Sequence, residues 1–136
     1  MDADRTELPG MLATLCSYEN LFGPRHPQTL LLMAETANAC WQAGKFDYAR
    51  PLLERTVRDL GHLLGAEHDL RLRAIAALRD LFIAQRDREK AAAVQRELLA
   101  CQIRRLGADH SETRATRARL ATILLEYAPG QSAAAS

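Results

Sequence analysis

Apolar residues recur along the chain at helical spacing and not with the strict alternation of a half-buried strand. After His26, residues Leu30, Met33, Ala37 and Cys40 fall at i, i+3, i+7 and i+10, which is one helix face. Gly44 ends that run, since glycine takes the left-handed conformation behind a helix at little cost. A second helix is predicted over about residues 46–63, with Pro51 near its first turns, where some bending is expected. The same reading predicts helices over about residues 69–85, 88–106 and 111–127. Upstream, Leu8, Met11, Leu12, Leu15 and Tyr18 share one side of a helix over roughly residues 6–21. Pro129-Gly130 closes the last helix, and residues 129–136 are expected to form a disordered tail. The fold class is therefore all-α, with about six helices on short connections, which makes sequential helices antiparallel neighbours.

The pattern repeats. Leu64-Gly65-Ala66-Glu67-His68 returns as Leu106-Gly107-Ala108-Asp109-His110, and Phe22-Gly23-Pro24-Arg25-His26 is a near copy. The three glycines stand 42 residues apart, and so do the three histidines. Pro9 and Thr14 precede Pro51 and Thr56 by the same interval, 42 residues, so the first helix reads as the second half of a repeat. An ungapped period of this length is the signature of stacked helical units. It divides a domain over residues 1–128 into a half repeat at about 6–22, repeats at about 23–64 and 65–106, and a terminal helix at about 111–127.

Composition narrows the class. The 136 residues fit one domain, and an apolar content of 48% is that of a globular chain. Ala, Leu and Arg dominate, all strong helix formers, and aromatics are only 5%. A net charge of +1 sets up no global field for nucleic acid or membrane. No apolar run approaches the ~20 residues of a membrane span, and the first seven residues carry acids instead of a secretory apolar region. Cys16, Cys40 and Cys101 lack C-x-x-C spacing and read as free thiols in a reducing compartment, which places the protein in the cytoplasm.

His26-Pro27-Gln28-Thr29, Gly44-Lys45-Phe46-Asp47-Tyr48-Ala49 and Pro51-Leu52-Leu53-Glu54-Arg55 together resemble the 42-residue tetratricopeptide repeats of kinesin light chains and their bacterial relatives. The resemblance runs from about Pro9 to Tyr127 and implies a right-handed superhelical solenoid of helix–turn–helix units. Later units depart from the pattern. Arg86 stands at the turn glycine, Arg79 at a small residue, Gln95 at an apolar core position, and Ala34 and Glu35 at the paired asparagines of kinesin-type repeats. Leu30 and Leu72 become Arg114, and Met33 and Ile75 become Arg117. The resemblance implies that these positions face the second helix of a unit, so arginine there predicts a solvent-facing cap and a natural end to the array. The first helix shows no such cap, and its apolar face is expected to meet another copy or a partner.

The resemblance also implies function: a protein-interaction adaptor holding a peptide or protein segment on its concave face, without catalysis or cofactor. The implied groove positions are Leu31, Ala34, Asn38, Trp41 and Gln42, then Arg73, Ala76, Asp80 and Ile83, then Thr122 with Ala115, Ala118, Leu125 and Glu126. Asn38 suits a peptide backbone, being both donor and acceptor. Trp41, the only tryptophan, is either an anchor or core, as is Ile83. Arg73 suits a carboxylate. The lysine-and-asparagine clamp of chaperone-binding members is not visible. Two further readings stand beside the groove: a self-associating structural subunit, and a nucleic-acid binder using Arg104, Arg105, Arg114, Arg117 and Arg119, opposed only by Asp109 and Glu112. No stacking aromatics accompany those arginines. The periodic histidines invite a metal, but equivalent residues of stacked helices lie ~8–10 Å apart and zinc–nitrogen bonds measure ~2 Å, so they are read as ordering the loops. No base accompanies the cysteines in a nucleophile motif.

Overall fold

A computed structural model of the protein describes residues 2–126, with side chains from Pro9 onward. The expected tail over residues 129–136 lies outside the described residues. Six helices follow one another: α1 (Asp2–Phe22), α2 (Pro27–Gln42), α3 (Phe46–Leu64), α4 (Asp69–Ala84), α5 (Arg88–Leu106) and α6 (Ser111–Glu126). Each packs on its neighbour in the chain, and α2 also packs on α4. The even-numbered helices therefore form one layer and the odd-numbered helices the other. Pro9 and Pro51 lie inside α1 and α3, both on exposed positions, and both helices run through them.

The recurrent loop owes its shape to two residue types. His26, His68 and His110 each stand, exposed, at a helix start. Each Nδ1 accepts the backbone N–H two residues on, at 3.1 Å. This satisfies one of the donors that a helix N-terminus leaves free, a task more often given to Ser, Thr, Asp or Asn. The histidines thus order loops, as the sequence implied. At the other turn, Gly44 takes φ +88°, and Lys45 N–H donates to the Cys40 carbonyl at 2.8 Å. The next unit makes the same turn without glycine: Arg86 takes φ +61°, and Asp87 N–H donates to the Phe82 carbonyl at 2.9 Å. A side chain held in that region costs ~1–2 kcal/mol.

The core runs between the layers. Ala37, Cys40, Leu53, Leu81, Phe82 and Ala91 form its centre, and Leu15, Leu30, Met33, Leu60 and Ala74 extend it toward α1. Full burial of one such leucine contributes ~1.5–3 kcal/mol. Two polar departures of the second unit, the half-buried Arg79 and the buried Gln95, meet each other. Arg79 donates to Gln95 Oε1 at 3.1 Å and to Asp80 Oδ1 at 3.0 Å, while Gln95, fully buried, donates to the Thr116 carbonyl at 3.0 Å. Arginine and glutamine thus satisfy one another across α4 and α5, and glutamine ties α5 to α6.

The two ends differ. In α6, Thr113, Thr116 and Ile123 face inward while Arg114 and Arg117 are exposed, the arrangement that the arginine substitutions predict. In α1, Leu15 is buried, whereas Leu21 and Phe22 are 76% and 49% exposed. The Tyr18, Phe22 and His26 rings meet in sequence at the α1–α2 corner, the first pair edge-to-face at 5.6 Å and the second tilted at 4.9 Å. No described helix is long and apolar enough to cross a membrane.

Candidate binding groove

Two clefts open on the even-numbered layer. The first, about 200 Å³, lies between Leu31, Ala34, Glu35 and Asn38 of α2 and Leu70, Arg73, Ala74 and Ala77 of α4, with Leu60 of α3 beneath. The second, about 290 Å³, lies between Asp69, Leu72, Arg73 and Ala76 of α4 and Glu112 of α6, with Leu98 and Gln102 of α5 beneath. Small side chains make the clefts: Ala34 and Ala77 leave space that larger residues would fill. Arg73 lines both and is exposed, a guanidinium with donors toward either side.

Five expected groove residues are thereby brought together: Leu31, Ala34, Asn38, Arg73 and Ala76. The others lie elsewhere on the same helices. Trp41 is half-buried, stacked on Phe46 at 6.2 Å and packed against the core. Its indole N–H donates to Asn38 Oδ1 at 3.1 Å. That bond engages the Asn38 amide oxygen, while Asn38 lines the first cleft. Gln42 is exposed. Asp80 is held by Arg79 at 3.0 Å and by Arg119 of α6 at 3.7 Å. Ile83 packs against the core, and the Thr122 hydroxyl donates to the Ala118 carbonyl of its own helix at 3.1 Å.

Sequence reasoning missed the floor. Leu60, Leu98 and Gln102 come from the second helices of their units, which the groove expectation left out. The signal for Gln102 was present, because it stands 42 residues after Leu60 and replaces a core leucine.

Charge is arranged by loop-to-helix pairs. Arg104 donates to Glu67 at 2.6 Å, and Arg105 donates to the Asp69 carboxylate and the Glu67 carbonyl. The Arg105 hydrogen bond holds the Asp69 carboxyl below the usual carboxylate range and raises the guanidinium in turn. The Arg104 guanidinium is raised by its bond to Glu67. Three of the five arginines in the suspected basic patch are thus engaged by acids of the second repeat: Arg104 and Arg105 within that repeat, and Arg119 from the terminal helix. Burial pushes the Cys40 thiol up, away from a reactive thiolate.

Comparison with known proteins gives structural neighbours alone. No family model matches the chain, and no curated protein matches it. Among solved structures, it is similar to a kinesin-light-chain-type protein of nearly identical TPR-like repeats from Podosopora anserina, at 22% identity and a TM-score of 0.79, covering 89% of this chain and 57% of that one. A variant of the same protein aligns at 22% identity and a TM-score of 0.80, over 96% of this chain and 61% of that one. The chain therefore spans about three fifths of the length of these neighbours. At this identity the likeness establishes the fold, and the fold is an all-α solenoid of tetratricopeptide-like repeats.

Proposed function

We propose that this protein is an interaction module that holds an extended segment of another protein along the layer formed by α2, α4 and α6. The observation that carries the reading is the pair of clefts, one between each two successive helices of that layer, with Arg73 shared between them. A row of open clefts over a packed floor accepts successive side chains of an extended chain, and Asn38 and Arg73 have N–H groups to donate to its carbonyls. Nothing in this arrangement supplies the nucleophile, base and orienting group of a reaction centre. The three cysteines are free thiols, which supports a reducing compartment such as the cytoplasm.

The test is selection from a random peptide library on the immobilised protein, followed by mapping of the selected peptide through amide NMR shifts. Shift changes along α2, α4 and α6 are expected. Changes confined to α1, or to the outer faces of α3 and α5, would overturn the groove.

Self-association is the second reading, favoured by the exposure of Leu21 and Phe22 at the end of α1. Sedimentation at rising concentration tests it, and a Leu21→Ser, Phe22→Ser double variant that leaves the mass distribution unchanged counts against it.

A further inference from the structure

The 42-residue register makes the two clefts comparable position by position. Leu31, Leu60 and Leu70 line the first; their equivalents Arg73, Gln102 and Glu112 all line the second. Three aliphatic side chains have become three polar ones. The floor residue is the most telling. Leu60 is 1% exposed and fully satisfied by apolar contact, whereas Gln102 is 8% exposed and its Oε1 has no hydrogen-bond partner. On the adjoining helix, Thr113 is fully buried and its hydroxyl also lacks a partner, although the equivalent Thr29 donates to the Tyr18 carbonyl at 3.4 Å. A buried acceptor left without a donor costs ~1–3 kcal/mol. Leucine, which serves one repeat earlier, avoids that cost, so packing does not account for Gln102.

We propose that the second cleft is a polar subsite that takes a carboxamide, the side chain of an asparagine or glutamine in the bound segment, while the first takes an aliphatic side chain. This rests on the groove reading above. The chemistry favours an uncharged group, because the flanking charges are opposite: Arg73 on α4 and Glu112 on α6, with Asp69 already engaged by Arg105. An ammonium would meet Arg73 and a carboxylate would meet Glu112. A carboxamide donates to Gln102 and Glu112 and accepts from Arg73. The terminal torsion of glutamine is broad, so either end of its amide can turn to the ligand. Successive helices of one layer lie ~8–10 Å apart, and an extended chain advances ~3.3 Å per residue. The aliphatic and carboxamide positions are therefore about three residues apart.

The experiment is a positional-scanning library of N-acetylated, C-amidated octapeptides applied to the wild-type protein and to Gln102→Leu. The wild type is expected to enrich an aliphatic residue at one position and asparagine or glutamine about three residues away. Gln102→Leu is expected to lose the amide preference about tenfold and to gain leucine or methionine there, a difference of ~1.4 kcal/mol. Its melting temperature should rise, because the orphaned acceptor is gone. Gln102→Met, which keeps the side-chain length, serves as the second variant. Equal enrichment profiles on all three proteins overturn the subsite and leave the groove standing. So does a wild-type profile with no residue preference at the second position, the result expected if only water fills the cleft. No enriched sequence on the wild type overturns the groove reading and the subsite with it.

Discussion

The first full repeat, residues 23–64, and the second, residues 65–106, share a backbone and differ in what fills it. At the heart of the first, Ala37 and Leu53 are both fully buried and apolar. Their equivalents in the second are Arg79 and Gln95, joined by a 3.1 Å hydrogen bond and anchored to Asp80 and to the Thr116 carbonyl. The same helix pair is thus closed by a small residue against a large aliphatic one in one unit and by a polar network in the next. The lesson is that the repeat specifies where side chains meet, and the meeting pair is free to change chemistry if both members change together. A half-made exchange would leave a buried polar group without a partner, which is the costly case.

The largest expected effect lies in the apolar unit. Leu53→Ala should lower stability by ~2–5 kcal/mol in urea unfolding, through lost transfer energy and the cavity left behind. A loss under ~1 kcal/mol would show that this leucine is not the centre of the core. In the polar unit, Gln95→Leu alone removes one of the two acceptors of Arg79, leaving Asp80, and the side-chain donor to the Thr116 carbonyl, and should cost ~1–3 kcal/mol. Adding Arg79→Ala rebuilds the chemistry of the first repeat and should recover much of that loss, with a coupling of ~0.5–3 kcal/mol in the double-mutant cycle. Additive single and double variants would separate the two residues and undo the comparison.

These contrasts show what the sequence could and could not convey. Positions came through because they depend on local signals: Leu30, Met33, Ala37 and Cys40 mark a face, glycine and histidine mark the loops, and the fixed interval carries each assignment into the next unit. Even the strained turn at Arg86 was legible, since it occupies the register of Gly44. Partnerships were not. Arg79 and Gln95 each looked like a flaw, because their bond joins residues 16 apart on two helices. The Trp41 bond to Asn38 redirected an amide expected to face a ligand freely. The groove floor was not legible for a related reason: Leu60 and Gln102 reach the clefts from the second helix of each unit, and their contact with the first helices depends on tertiary packing.

A smaller effect separates the two turns. Arg86→Gly should stabilise by ~1 kcal/mol, the strain of a side chain in the left-handed region, and raise the melting temperature accordingly. Gly44→Ala should do the reverse by a similar amount. A lowered melting temperature for Arg86→Gly would mean that the arginine side chain contributes more than its backbone costs.

The smallest effect concerns the loops ahead of α2 and α4. In the first repeat Pro27 and Leu63 occupy the positions of Asp69 and Arg105, and the loop is tied instead by Arg25 to the buried Asp59 at 4.0 Å. In the second, the Arg105 hydrogen bond lowers the exposed Asp69 carboxyl below its ordinary value. A value lower in the folded state than in the unfolded chain stabilises the fold above the ordinary carboxylate range. That contribution fades as pH falls through the lowered value and Asp69 takes up its proton. The pair is solvent-exposed, so the gain is small and weakened by salt. A carboxyl-detected NMR titration should therefore place the Asp69 midpoint below that of an ordinary aspartate, and Arg105→Gln should move it upward. High salt should narrow the gap between the two proteins, because screening acts on the exposed pair. If Arg105→Gln leaves the Asp69 midpoint where it was, the two loops do not differ in the way their charges are tied, and the second repeat has no acid-sensitive latch that the first lacks.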